Sequence, residues 1–156
     1  MTTEQKLFEA ILQNPDDITL RLIFADWCDE RSDPRGEFIR VQCELAESDS
    51  SDGAIPSLRR REAELLHQHR REWNGEFHRR LIGTPLQNRV RGRRGAVRRW
   101  EYQRGFIEYL EIEATALLQD SETLFQIGPI NSLRIVQGAR ILDKVLRCPV
   151  LQRMKS

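Results

Sequence analysis

The sequence predicts an α/β fold on the α+β border: an N-terminal helical cap, then a β-hairpin, then one to two repeated strand–helix units. Three observations predict it. Apolar residues recur at helical spacing up to residue 73, and aromatic and β-branched runs take over after residue 96. The last third then repeats a short strand-like line at a fixed offset. The chain has 156 residues, of which 39% are hydrophobic and 31% charged. A chain of this length buries roughly 70% of its unfolded surface, which supports one core without staples.

Leu7, Phe8, Ile11 and Leu12 share one helical face, and Thr2 with Gln5 has the form of a capping box. Asn14-Pro15 stops that helix, because proline restricts the residue before it. Asp16 or Asp17 then caps a second helix with Leu20, Ile23, Phe24 and Trp27 inward. Arg31-Ser32-Asp33-Pro34-Arg35-Gly36 is a turn into a third helix. Asp33 serves as its cap, Pro34 as its first residue and Glu37 as the completing glutamate. Phe38, Val41 and Leu45 form the apolar face, and Trp27 and Phe38 are expected to be the bulky core pieces on either side of the turn. Residues 47–56 are small, polar and acidic, and read as a linker. A fourth helix is expected from Ser57 to Trp73, with Leu58, Leu65 and Leu66 inward and Asn74-Gly75 as its end. Residues 83–95 read as loop.

Val97–Tyr102 and Phe106–Glu113 are expected to pair as a hairpin through Gln103-Arg104-Gly105. Leu117 to Ile127 reads as a helix stopped by Gly128-Pro129, Ile130 to Val136 as a strand, and Ile141 to Leu146 as a helix stopped by Cys148-Pro149. Tyr109-Leu110-Glu111-Ile112 lies over Ser132-Leu133-Arg134-Ile135 at an offset of 23 residues. Gly128-Pro129-Ile130 lies over Cys148-Pro149-Val150 at a recurrence of 20 or 21 residues, depending on how the gap is placed, which would start a further strand. A strand of Leu-x-Ile type, a helix and another strand at this period make the leucine-rich-repeat pattern; two unrelated αβ units are the alternative. The expected organisation is a helical module (1–46), a linker (47–56), a basic helix and loop (57–104) and repeat-like αβ units (105–156), in one compact domain.

The net charge of +1 conceals three blocks. Residues 1–56 hold 5 basic and 13 acidic side chains, residues 57–104 hold 14 and 5, and residues 105–156 hold 6 of each. All but three of the 25 basic residues are arginines, whose planar fork suits carboxylates, phosphates and aromatic faces. The basic block therefore needs a partner: the chain's own acidic third, an acidic protein, or a nucleic acid. Candidate contacts for such a polyanion or acidic partner are Arg89, Arg91, Arg93, Arg94, Arg98, Arg99 and Arg104, interleaved with Trp100 and Tyr102 as stacking surfaces.

Pro15-Asp16-Asp17, Arg21-Leu22-Ile23-Phe24-Ala25-Asp26-Trp27, Glu30-Arg31 and Asp33-Pro34-Arg35-Gly36-Glu37-Phe38-Ile39-Arg40 together resemble the bacterial repeat-companion domain. That family is an N-terminal module commonly preceding leucine-rich repeats in planctomycete-type paralogous sets. The match is nearly continuous over residues 15–46, and Arg60–Leu66, Glu72-Trp73 and Arg104–Glu108 fit the layout that leads into the repeats. The resemblance implies an interaction scaffold without catalytic activity. Its signature residues here are Asp26, Trp27, Asp33, Pro34, Arg35, Gly36, Glu37 and Phe38. Capping and arginine–carboxylate forks explain these residue types as a structural staple.

Nothing in the chain reads as an active site. His67 and His69 are two apart and diverge on a helix, His78 stands alone, and all three are expected at the surface. Asp26, Asp29 and Asp33 lack the register of a calcium loop. No nucleophile elbow, phosphate loop or zincin motif occurs. No catalytic residue, cofactor, metal or small-molecule substrate is expected. Cys28, Cys43 and Cys148 contain no CxxC pair and read as free thiols in a reducing cytosol. Neither a membrane span nor a signal peptide is expected, so the expectation is a cytoplasmic protein whose partner is another protein, with nucleic acid as the alternative.

Overall fold

The computed structural model describes residues 1–81, 84, 86, 96–149, 151 and 154. Among these, the chain forms α1 (Thr3–Gln13), α2 (Ile18–Asp29), α3 (Arg35–Glu47), α4 (Ile55–Arg80), β1 (Val97–Gln103), β2 (Phe106–Glu113), α5 (Ala114–Ile127), β3 (Ser132–Val136) and α6 (Leu142–Leu146), the last entered through a 3₁₀ turn at Ala139–Ile141. The fold is mixed α/β with a three-stranded mixed sheet of order β1-β2-β3. Among the described residues no helix is long and apolar enough to cross a membrane. The chain divides into two compact units rather than one: residues 1–75 with 103–106, and residues 76–102 with 107–156. This differs from the expected boundaries at 46, 56 and 104, because a hairpin tip distant in sequence belongs to the helical unit.

In the helical unit the first three helices start where local chemistry dictates. Thr2 Oγ1 accepts from the Gln5 amide at 3.2 Å, and the Thr2 amide donates to Gln5 Oε1 at 2.7 Å, which closes the capping box. Asp17 Oδ1 accepts from the Thr19 amide at 2.8 Å. Before α3, Pro34 is already in helical conformation, and Asp33 Oδ1 accepts from the Arg35 amide at 2.9 Å. The Asp33 amide is taken by the Cys28 carbonyl, so Glu37 does not reach back to complete a box as expected. Residues 48–54 run as exposed and half-exposed turns to α4.

The core of this unit is Phe8, Ile11, Phe24, Ala25, Cys28, Ile39, Cys43 and Phe106. Phe106, from the hairpin tip, meets Phe24 edge-on at 5.3 Å and Phe8 at 6.0 Å. The buried face of α2 is Arg21, Phe24, Ala25 and Cys28, rotated from the expected one. Ile23 is 44% exposed, and Trp27 is half-buried at the flank of the core rather than inside it. The reason is Arg21, whose fully buried guanidinium takes the central position. On the other side of α3, buried Phe38 packs against buried Trp73 of α4 at 4.6 Å.

Helix α4 does not end at Asn74-Gly75 but continues six residues after Asn74, to Arg80. Trp73 and Phe77 are both buried and four residues apart, so one helical row carries both. Burying a phenylalanine is worth about 2–3 kcal/mol, against about 1 kcal/mol for a glycine inside a helix.

The αβ unit has its own core, centred on Phe77, Leu81, Val97, Leu110, Ile112, Leu117 and Leu124. β1 and β2 join through a two-residue turn in which Arg104 and Gly105 both have positive φ (48° and 86°), the requirement of a type I′ hairpin. A Cβ on Gly105 would also stand 2.2 Å from Ile39 Cγ1, so only glycine fits. β2 and β3 run parallel, with Tyr109, Leu110, Glu111, Ile112 and Glu113 opposite Ser132, Leu133, Arg134, Ile135 and Val136. The offset of the internal repeat is thus the register of the sheet. The further strand start expected at Cys148-Pro149 is different: Pro149 and Leu151 lie in a helical turn, with the Leu151 amide donating to the Cys148 carbonyl at 3.0 Å.

These positions rank the two aromatic residues. Phe106→Ala is expected to cost about 3–5 kcal/mol in urea unfolding, as for a core aromatic. Trp27→Ala should cost distinctly less, since that side chain lies partly exposed at the flank of the core. The reverse order would refute the placement of the core.

Candidate interaction surfaces

The signature residues come together around the α2–α3 turn as a set of arginine forks. Arg40 on α3 reaches two carboxylates of α2, with Nη2 donating to Asp26 and Nη1 to Asp29. Arg35 donates through Nε to Asp33 Oδ2 at 2.7 Å and lies 3.5 Å from Glu4 of α1. Arg61 of α4 grips both oxygens of Glu37, at 2.5 and 2.7 Å, and also holds Glu64 at 3.0 Å. Gly36 allows the crossing: a Cβ there would lie 2.8 Å from the Ala25 carbonyl and 2.0 Å from Asp29 Oδ1. Gln42 links the same region to the hairpin tip, accepting from the Gly105 amide at 2.8 Å and donating to Glu62 at 2.7 Å. These residues fix helix positions.

Trp27 has a different setting from the rest. The Arg31 guanidinium lies over its ring at 4.2 Å while Nη1 donates to the Trp27 carbonyl at 2.9 Å. Exposed Leu22 and Ile23 stand on the same helix.

Sequence reasoning placed Arg21 in the family-like run around the turn but not in the core, where it is fully buried. Its Nη1 donates to the Arg104 carbonyl at 3.1 Å, its Nη2 to the Pro15 carbonyl at 2.5 Å, and its guanidinium lies 5.4 Å from the Phe106 ring. The available signal was spacing, since Arg21, Phe24, Ala25 and Cys28 follow one helical row.

The arginine-rich candidate surface is placed in part. Arg89, Arg91, Arg93 and Arg94 lie outside the described residues. Arg98 pairs with Glu113 at 2.8 Å and Arg99 with Glu101 at 2.6 Å, both within the αβ unit. Arg104 lies 3.4 Å from Asp16 in the helical unit. Of these three arginines, only Arg104 meets the acidic first third, so the expected pairing of that block with residues 1–56 is replaced for Arg98 and Arg99 by partners on their own hairpin. Trp100 is half-buried against Phe77 at 4.6 Å, with His78 edge-on at 5.8 Å, and Tyr102 is likewise half-buried. Neither ring is an open stacking platform.

Titratable groups outside these pairs suggest no chemistry. Burial pushes the Cys28 thiol up to about 12; Cys43 and Cys148 are also buried, and none of the three is in a disulfide. His67 is exposed, whereas His69 is half-buried and stacked on Trp73 at 5.4 Å. Among the described residues no three His, Cys, Asp or Glu side chains are grouped to hold a metal ion. No protein-family model, curated protein or solved structure matches the chain.

The Glu37–Arg61 fork makes a pH prediction. The hydrogen bonds from Arg61 hold the Glu37 carboxyl below its ordinary value. A lowered folded pKa means that the pair stabilises the protein above the unfolded glutamate value of about 4.3 and stops doing so as pH falls through the folded value. Glu37→Gln is therefore expected to lower the melting temperature at pH 7 and to melt with wild type near pH 2. An equal deficit at both pH values would show that packing, not charge, is lost.

Proposed function

We propose that the protein is a non-catalytic interaction module or small complex subunit of the cytoplasm, built as a repeat-companion-like helical unit leading into leucine-rich-repeat-like αβ units. The observation that carries this reading is the parallel, in-register pairing of β2 with β3 at the 23-residue offset of the sequence repeat. Stacked repeat units need that pairing, in which each Leu-x-Ile strand lies beside its successor. The arginine forks around the Asp26–Phe38 signature support a scaffold, since their capacity is used within the chain. Three buried cysteines outside any disulfide support a reducing compartment. The partner is another protein.

Nucleic-acid binding is the second reading, and it rests on Arg89, Arg91, Arg93 and Arg94, because Arg98, Arg99 and Arg104 have carboxylate partners. Salt dependence separates the two. Phosphate contacts by six or more cations lose about a thousandfold in affinity between about 50 and 200 mM salt. The expected outcome is weak binding of single-stranded RNA or DNA that is unchanged in an Arg91→Ala/Arg93→Ala/Arg94→Ala variant, with a protein partner that survives nuclease treatment. Tight, salt-steep binding that disappears in the triple variant would replace the first reading with the second.

A further inference from the structure

Resting on the interaction reading above, the geometry points to one docking surface: the outer edge of β3 together with the exposed flank of α6. We infer that it accepts a parallel strand–helix unit of Leu-(acidic)-Ile type supplied by a separate polypeptide.

The backbone supplies the first argument. β3 ends the sheet, and among the described residues one of its edges pairs with β2 and the other with nothing. A free edge presents a row of amide and carbonyl groups that can add a strand. Burial supplies the second. Leu110 and Ile112 on β2 are fully buried, whereas Leu133 and Ile135, at the same register on β3, are only half-buried. The two strands carry the same Leu-x-Ile pattern and differ in whether another layer lies beyond them.

Helix α6 supplies the third. It packs beside α5 and buries Val145, yet Leu142 and Leu146, one turn apart, are 54% and 61% exposed. An apolar pair at this spacing is a row that another helix covers. An open hollow lined by residues 139–144 adjoins it.

The occupant follows from the layer already in place. β3 and α6 cover β2 and α5, so one further step outward calls for the same kind of unit. Charge sets its central residue: Glu111 of β2 lies 3.7 Å from Arg134 of β3, whose side chain is still two-thirds exposed. A strand with an acidic residue between its leucine and isoleucine continues the alternation of sign across the sheet.

The probe is a synthetic peptide of residues 107–127, which carries Leu110-Glu111-Ile112 and the α5 sequence, added to the intact chain. Binding is followed by fluorescence anisotropy and by hydrogen exchange. The expected result is saturable binding that protects the amides of Ser132–Val136 and weakens at least about tenfold in Leu142→Glu or Leu146→Glu. A peptide with Glu111→Arg should weaken similarly, while Ile23→Glu on the exposed surface of α2, in the helical unit, should leave affinity unchanged. Both leucines are exposed, so unchanged melting curves will verify that the variants fold. Absence of binding, or protection confined to β1, would overturn the proposal. A concentration-dependent dimer that Leu142→Glu abolishes would also overturn it, by making a second copy the occupant. If a nuclease-resistant protein partner persists in the Leu142→Glu/Leu146→Glu variant while the peptide fails to bind, the interaction reading stands and this surface falls.

Discussion

The helical unit is organised around a buried charge. Arg21 sits at the centre of the apolar face of α2, with no exposed surface, and its guanidinium is received by two backbone carbonyls and an aromatic ring. Taking a cation out of water costs several kcal/mol unless its donors are satisfied. The geometry explains why this position holds arginine and not lysine. One fork reaches Pro15, at the junction of α1 and α2, and Arg104, in the hairpin turn, in a single plane. Both carbonyls lie where the chain leaves regular structure: beyond the end of α1, and in a turn with left-handed residues. The side chain thus fixes three segments that share no local sequence rule. Phe106 and the Gly105 contact on Ile39 seat the hairpin tip in the same place.

The αβ unit follows a different constraint, set by repetition. In a strand, a slip of one residue would turn every buried side chain to the opposite face. Leu110 and Ile112 demand one register on β2, and Leu133 and Ile135 satisfy it on β3. The match extends one step before the strand: the Asn131 amide donates to the Glu108 carbonyl at 3.0 Å, and Asn131 Nδ2 donates to the Glu108 carboxylate, again 23 residues away. Glu108 is fully buried, so this polar pair holds the entry to β3.

What was legible in the sequence was local or periodic. The Thr2–Gln5 box, the Asp17 cap, the Arg104-Gly105 hairpin turn and the 23-residue register all depend on residues close in sequence or on a fixed repeat, and each forms. What escaped depends on packing between distant segments. Ile23 looks like core by type and spacing, but the face it occupies is displaced by Arg21. Asn74-Gly75 reads as a helix end, but the row through Trp73 and Phe77 carries α4 past it. Gly36 reads as turn punctuation, yet it is needed for the close crossing of α2 and α3. Of the candidate polyanion surface, residue types showed that arginines are dense but not that Arg98 and Arg99 find glutamates on their own hairpin.

Charge balance in the folded chain also recasts the preference for arginine over lysine. By sequence count the helical unit holds 11 basic and 16 acidic residues and the αβ unit 14 and 8, so the units carry opposite net charge. Within the helical unit Arg40 and Arg61 reach carboxylates through more than one donor. Exposed pairs of this kind add little stability singly, about 0–1 kcal/mol each. Their effect is directional: a fork that spans two carboxylates admits one separation and one rotation of the helices that carry them. Arginine here therefore orients helices more than it attracts ligands. A partner that binds this protein must be recognised by surfaces those forks leave open. Among the described residues these include the exposed flank of α6 and the outer edge of β3, together with exposed arginines such as Arg70 and Arg147.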